Sequence, residues 1–374
     1  MNILVFSWRD PKHPLAGGAE QSMHEHMKGW VRAGHNVTHF SSMMKGLSRI
    51  ENLDGVKIIR QGYQYWGVQF AGFFYYLKNK NKNKIDFIVD QFHGIPFFTP
   101  LYSKKPKLAV LQEVAREVWF KNPLKFPLNI LVGLIGYFGE PFLFWLFYRN
   151  TQFMVGSNSA KEDLIKFGIK DKNITVVPHG IVLPNKIPEH KMTNPKVITY
   201  FGPLTADKGI IDALNVFRLL NTSGKYSFCV IGRPETDAYY KKVMDTVKQF
   251  GLEDKIKFWR RPTDEEKFEI LSKTYLFINS SIREGWGLVN MEANLVGTPV
   301  VAYPSPGLVD SVKHGVSGIL TKSSSPEAIA REIEKLFSDS ITYNKLSEGA
   351  KKWAAKFSYE ESARMSIELI NKLS

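Results

Sequence analysis

Short runs rich in β-branched residues alternate with longer amphipathic segments along this chain, and the rhythm runs through twice. Parallel neighbouring strands need a long crossover, usually a helix, so this alternation predicts βαβ units and parallel sheets. In the first round, strands are expected at 3–7, 36–40, 56–59, 87–90, 108–111, 153–156 and 174–177. A helix is expected from about 18 to 32, because Ala19, Met23, Met27 and Trp30 recur at helical spacing. The stretch 178–195 holds four prolines and little apolar periodicity, and it reads as a linker. The second round places strands at 197–201, 228–231, 256–258, 276–279, 299–302 and 317–320. Thr263-Asp264-Glu265-Glu266 and Ser358-Tyr359-Glu360-Glu361 fit capping boxes that open helices. At 374 residues the chain has room for two domains, set here at 1–185 and 186–374, with a return of the last helix, about 358–374, onto the first as an option.

Charge narrows the choice of partners. The net charge is +14, and residues 1–185 carry 23 Lys+Arg against 13 Asp+Glu. A basic first half suits anionic lipid head groups, a phosphorylated acceptor or nucleic acid. No nucleic-acid motif occurs, which sets the last aside. The single cysteine, Cys229, allows no intrachain disulfide and sits in an apolar run, so it reads as a small core residue in a reducing compartment. The opening MNILVFSWRD has too short an apolar run for a signal peptide, and the expected location is the cytoplasm.

Four constellations could carry chemistry. Gly17-Gly18-Ala19-Glu20 stands just after the first strand at the start of a helix, where amides favour anions. His93-Gly94 follows the strand ending at Asp90. Gly202-Pro203-Leu204-Thr205-Ala206-Asp207-Lys208-Gly209 follows the first strand of the second round, at the strand end where α/β folds bind ligands. The strongest is Glu284-Gly285-Trp286-Gly287-Leu288-Val289-Asn290-Met291-Glu292: two carboxylates flank a Gly-rich turn into a helix, and the amides of Gly287, Leu288 and Val289 suit a phosphate. No metal-ligand spacing and no Asp-x-Asp occurs, so neither a metal nor a cofactor is expected. His24 and His26 lie two apart and point to different faces of their helix.

These motifs, with Val177-Pro178-His179-Gly180-Ile181 and Gly297-Thr298-Pro299-Val300-Val301-Ala302, resemble in type and order those of glycosyltransferase family 4, the retaining GT-B enzymes. The resemblance covers nearly the whole chain. It implies an α/β GT-B fold, two Rossmann-like domains with parallel sheets facing a central cleft. It implies that Gly17 and Gly18 lie against the donor, that His93 lines the transfer site and that Lys208 meets the diphosphate. Glu284 would hold the donor-sugar hydroxyls and Glu292 the ribose hydroxyls. The chain departs from the family pattern at Pro203, where arginine is usual, at His179, where asparagine is common, and at Asp310, where glutamate is common. Arg9, Arg233 and Arg283 are candidates to replace the missing cation.

The expected activity is retaining transfer of a hexose-type sugar from a nucleotide-diphosphate sugar to a glycan or lipid-linked acceptor. A sugar-nucleotide epimerase, a phosphorylase and a catalytically weak sugar-nucleotide-binding protein are the rivals. Two segments bear on the acceptor. Residues 126–148 carry eight aromatics and one charge, Glu140, and 63–76 carry eight aromatics before the lysine-rich 78–84. The longest uncharged piece, 126–139, is broken by Pro127 and three glycines, and Pro141 interrupts again. A spanning helix needs about 20 apolar residues, so these breaks argue against one. Either an interfacial patch or a core helix fits, and the former suits peripheral binding to an anionic membrane.

Overall fold

The computed structural model describes residues 1–374 except 65, 82–83, 93–94, 123 and 222–223. The chain forms two compact units, Met1–Gly180 with Ser358–Ser374, and Ile181–Phe357. The first division falls inside the proline-rich stretch.

The first unit runs β1 (Asn2–Phe6), α1 (Gly18–Arg32), β2 (Asn36–Ser41), β3 (Ile50–Leu53), β4 (Val56–Arg60), α2 (Trp66–Asn79), β5 (Phe87–Phe92), α3 (Thr99–Tyr102), β6 (Lys107–Leu111), α4 (Leu128–Leu143), β7 (Gln152–Val155), α5 (Asn158–Lys166) and β8 (Ile174–Val176). Its sheet has the order β3-β4-β2-β1-β5-β6-β7-β8. All neighbours pair parallel except β3 and β4. The second unit runs β9 (Lys196–Phe201), α6 (Ile210–Leu220), β10 (Tyr226–Ile231), α7 (Asp237–Gln249), β11 (Ile256–Trp259), α8 (Asp264–Ser272), β12 (Thr274–Asn279), α9 (Leu288–Leu295), β13 (Val300–Ala302), α10 (Leu308–Ser311), β14 (Gly318–Leu320), α11 (Pro326–Ser338) and α12 (Ser340–Ala354). Its sheet, β11-β10-β9-β12-β13-β14, is parallel throughout. In each sheet the strand order reverses beside the first strand of its unit, β1 or β9, the arrangement that opens a ligand crevice at strand C-terminal ends.

The final helix, α13 (Tyr359–Leu373), belongs to the first unit. It crosses α1 closely: a Cβ on Gly29 would lie 2.3 Å from that of Ala363. Ser366 Oγ accepts from Trp30 Nε1 at 2.9 Å and bonds His26 Nδ1 at 3.0 Å. Met23, Met27 and Trp30 are buried, as their spacing predicts.

Each predicted strand is present to within a residue or two. One was missed. β3 is an exposed edge strand paired antiparallel to β4, with Leu53 opposite Val56. Its signal was the two-residue turn Asp54-Gly55, both at positive φ, which suits a hairpin.

Of the breaks expected in 126–148, Pro127 does bound the helix, as its N-cap, but the three glycines and Pro141 do not interrupt it. Leu128–Tyr148 is one continuous helix of 21 residues, long and apolar enough to cross a membrane. The segment after Pro141 widens into a π-helical turn, Phe144–Tyr148. The glycines are contact points. A Cβ on Gly133 would lie 2.4 Å from Phe120 and one on Gly136 2.1 Å from Trp119. Glu140, on the same inward face, accepts from the amides of Ala115 and Arg116 at 2.8 and 3.0 Å and from Trp119 Nε1 at 3.2 Å.

Candidate functional site

In the second unit, the residues that motif spacing singled out gather at the C-terminal ends of adjacent strands β9 and β12. Tyr200, in β9, donates from its hydroxyl to the carbonyls of Pro203 (3.0 Å) and Lys208 (3.2 Å), so the loop folds back over its own strand. Gly209 closes that loop at φ +70°, where a Cβ would stand 2.1 Å from Ser280 O. Ser280 Oγ donates to Gly209 O at 2.8 Å, and the Ile282 amide donates to Asp207 O at 2.9 Å. The loops after β9 and β12 are therefore stitched together by backbone.

That stitching delivers Lys208 to Glu284. The ammonium lies 3.2 Å from Glu284 Oε2, 3.6 Å from Asp207 Oδ2 and donates to Arg283 O at 3.3 Å. The other carboxylate oxygen of Glu284 accepts from Ser281 Oγ at 2.8 Å. Lys208 and Glu284 remain partly accessible, at 17% and 19% of their side chains. The turn that follows needs its glycines. Gly287 sits at φ +84° as the N-cap of α9 and, having no side chain, gives the first-turn amides no cap of its own. Gly307, at φ +79°, lets Glu284 O approach to 2.0 Å of where a Cβ would be. A charged lysine beside an uncapped helix N-terminus is a combination that attracts a phosphate.

Glu292 lies one turn into α9 and is buried. Sequence reading did not foresee its partner. Lys267 Nζ, also buried, donates to Glu292 Oε1 and to Asp264 Oδ1, both at 2.8 Å. Burial pushes the Glu292 carboxyl above its ordinary range against the pull of Lys267. Burial also works against charge on Lys267, but the two carboxylates overcome it and hold the ammonium protonated. The available signal was a lysine at an inward position of α8, one residue before Phe268 and three after Asp264.

Of the three candidate cations, Arg233 stands next to the departure at Pro203. Its carbonyl accepts from the Leu204 amide at 2.9 Å, and the adjoining Gly232 packs so that a Cβ would meet Gly202 O at 2.0 Å. Arg9 Nη1 donates to Leu15 O at 2.9 Å. Arg283 is buried.

In the first unit, Gly17 is the N-cap of α1, and both Gly17 and Gly18 are exposed. The Gly17 amide donates to Glu20 Oε2 at 2.7 Å. Gly17 has φ −136°, and a Cβ there would find only Glu20 Oε2, at 3.9 Å. The fold itself does not demand glycine at this point. The preceding loop is fixed by Asp10, whose carboxyl, pushed up by burial, is held below its usual range by Arg60, bonded at 2.7 and 2.8 Å. His93 and Gly94 lie outside the described residues. The flanking positions are held by Asp90, which accepts from Tyr148 Oη (2.6 Å), Thr99 Oγ1 (2.7 Å) and the amides of Phe97 and Thr99 (3.2 Å each).

His179 is a buried structural residue. It bonds Ser22 Oγ at 2.7 Å through Nδ1 and Gln112 Oε1 at 2.6 Å through Nε2. Burial lowers its pKa to about 4. His24 meets Asp54 while His26 meets Ser366, so the two do diverge. Among the described residues no group of three or more His, Cys, Asp or Glu side chains is placed to hold a metal ion.

Residues 16–183 match the family described as Glycosyltransferase Family 4, and residues 184–353 that described as Glycosyl transferases group 1. A D-inositol 3-phosphate glycosyltransferase of Corynebacterium urealyticum is 32% identical over 133 residues, 36% of this chain and 31% of that protein. The capsular polysaccharide biosynthesis glycosyltransferase CapM of Staphylococcus aureus is 27% identical over 226 residues, 56% of each chain. The chain thus spans between 31% and 56% of the length of these curated relatives. Anabaena HepE, solved in complex with UDP-glucose, is similar in fold: TM-score 0.74 at 18% identity, covering 100% of both chains.

Proposed function

The chain belongs to the group 1, family 4 glycosyltransferases, and from that membership we propose that it moves a hexose-type sugar from a nucleotide-diphosphate sugar to a glycan or lipid-linked acceptor, in cell-surface polysaccharide or glycoconjugate synthesis. Transfer proceeds with retention, without a metal, at the cytoplasmic face of a membrane. The observation that carries this reading is the Lys208–Glu284 pair, held at adjacent strand ends beside the uncapped start of α9. Capsule synthesis by CapM and the UDP-glucose complex of HepE support the substrate class.

In this reaction the anomeric C–O bond to the diphosphate breaks, and the acceptor hydroxyl oxygen bonds to the anomeric carbon from the same face. The hydroxyl proton passes to the departing phosphate oxygen, and the nucleoside diphosphate leaves. Negative charge grows on the leaving group. Lys208 and the amides of Gly287, Leu288 and Val289 meet it with fixed positive charge, which needs no reorganisation. Arg233 supplies the cation that Pro203 does not. Glu284 accepts from the sugar hydroxyls and Glu292 from those of the ribose. From the family membership, Gly17, Gly18 and His93 are the first unit's candidates for contact with the sugar.

Removing one such electrostatic contact costs roughly 3 kcal/mol, about two orders of magnitude in rate. With a panel of nucleotide sugars as donors, Glu284→Ala should lower turnover by about that factor, while Glu292→Ala should mainly weaken donor binding. Activity of the wild-type protein should persist in EDTA. Wild-type turnover by Glu284→Ala refutes the site, and a loss in EDTA restored by magnesium or manganese refutes the metal-free chemistry.

A further inference from the structure

Helix α4 and its π-helical extension are built inside out. The inward row is Gly133, Gly136 and Glu140, followed by Phe144 and Tyr148. The outward row is Leu128, Leu131, Ile135, Phe138, Phe142 and Trp145, spaced three or four apart, and each is 45–68% exposed. Surface helices of globular proteins put the apolar row inward and the polar one out. Here small residues and a carboxylate pack against the protein while a row of large apolar side chains meets solvent. Helix α2 also turns an apolar row outward: Trp66, Phe70, Phe74 and Leu77 are 39–64% exposed.

The two rows join. Trp66 stacks on Phe98 at 6.3 Å and 3°, and Phe98 meets Phe147 edge-on at 5.6 Å. Leu101, in the short α3 just beyond, is 63% exposed. An apolar surface of this extent marks a contact with another apolar phase.

Charge identifies that phase. Residues 63–84, 98–112 and 118–139 contain no Asp or Glu, and Glu140 is turned inward. Exposed Lys78, Lys80, Lys104, Lys105, Lys121, Lys125 and Arg149 flank the rows, with Glu117 the exposed acid in the turn before α4. A second copy of this chain would bring cations against cations. An anionic lipid surface would accept the aromatic rows at head-group depth and the cations around them. We propose that the outward faces of α2 and α4 together form one docking face for an anionic lipid bilayer, lying flat on it, with the inward row still packed on the protein. The face itself rests on these residues alone; that it serves sugar transfer rests on the function proposed above. It adjoins the segment after His93, since Phe98 joins the two rows and Asp90 ties the amides of Phe97 and Thr99 to Tyr148 at the end of α4's extension.

The test is flotation of the full chain with vesicles of phosphatidylcholine alone and with rising phosphatidylglycerol. Recovery should rise with the anionic fraction and fall with salt, and alkaline carbonate should release the protein. The triple variant Ile135→Ser, Phe138→Ser, Phe142→Ser should lose about tenfold or more of its partitioning. Lys121→Gln and Lys125→Gln should each lose about fivefold. Melting temperature should stay at the wild-type value, since all five side chains are exposed; if the triple variant melts early, the lysine pair decides. Equal recovery on neutral and anionic vesicles, or none on either, overturns the proposal. So does a wild-type dimer that the triple variant dissociates, which would make the face a contact between copies. Glu284→Ala should float like wild type, so failure of the donor site and failure of the docking face are separate results.

Discussion

Lys267 is the residue whose importance only the structure reveals. Its ammonium is bound by Glu292 and Asp264, and both it and Glu292 are buried. Breaking a buried pair from one side costs roughly 3–5 kcal/mol, because the partner charge is left alone. In Lys267→Met, Glu292 has lost the group that opposes its burial, and it takes up a proton more readily. A protonated carboxyl accepts fewer hydrogen bonds from a ribose. Titration calorimetry with nucleoside diphosphate should show binding by Lys267→Met weakened about tenfold, more at pH 6 than at pH 8, and largely rescued in Lys267→Arg. Unchanged affinity in Lys267→Met, alongside weakened binding in Glu292→Ala, would make the pair merely structural. The Glu284–Glu292 element was legible because its glycines and carboxylates are contiguous. The lysine lies on another helix, and nothing in local spacing links the two.

Helix α4 shows how one residue type can be read two ways. Three glycines and a proline in an apolar run argued for interruption. In the folded chain, Gly133 and Gly136 admit the rings of Phe120 and Trp119. Gly136→Val would place its side chain inside the Trp119 ring, whose nearest atom is 2.1 Å from an ideal Cβ. Overpacking of this kind costs about 1–3 kcal/mol. Urea unfolding should register that loss, whereas Gly139→Ala, with nothing within 4 Å, should leave stability unchanged or raised. Equal effects at the two positions would mean that α4 is loosely held. The edge strand β3 was missed for a related reason. Its four residues alternate weakly, and only pairing with β4 gives them an extended conformation.

For the molecule as a whole, the chain leaves its first unit after Gly180 and returns at Ser358. Gly180 must be glycine there, because a Cβ would lie 2.1 Å from the Tyr359 amide. Ser362 Oγ donates to Pro178 O at 2.6 Å, and His26 bonds Ser366. Burial lowers the pKa of His179 to about 4 and that of His26 to about 3, so both are neutral in the fold. Neutral His179 can donate to Gln112 and accept from Ser22, an arrangement the imidazolium lacks. In the unfolded chain these rings gain protons near pH 6.5. Below that pH the unfolded state binds more protons, and stability is lost as pH falls towards the folded values. Between pH 7 and 5 the loss is about 2 kcal/mol for His179. Chemical denaturation at the two pH values should show this dependence reduced in His179→Gln. An equal dependence in the variant would place the acid sensitivity elsewhere. The sequence by itself determined the two rounds of alternating strand and helix, the motifs at strand ends and the family they resemble, because these depend on near neighbours and fixed spacing. Tertiary structure alone decided which unit the last helix joins, which lysine meets Glu292 and which way the apolar face of α4 points. Each of these depends on a partner far along the chain, and composition is blind to direction.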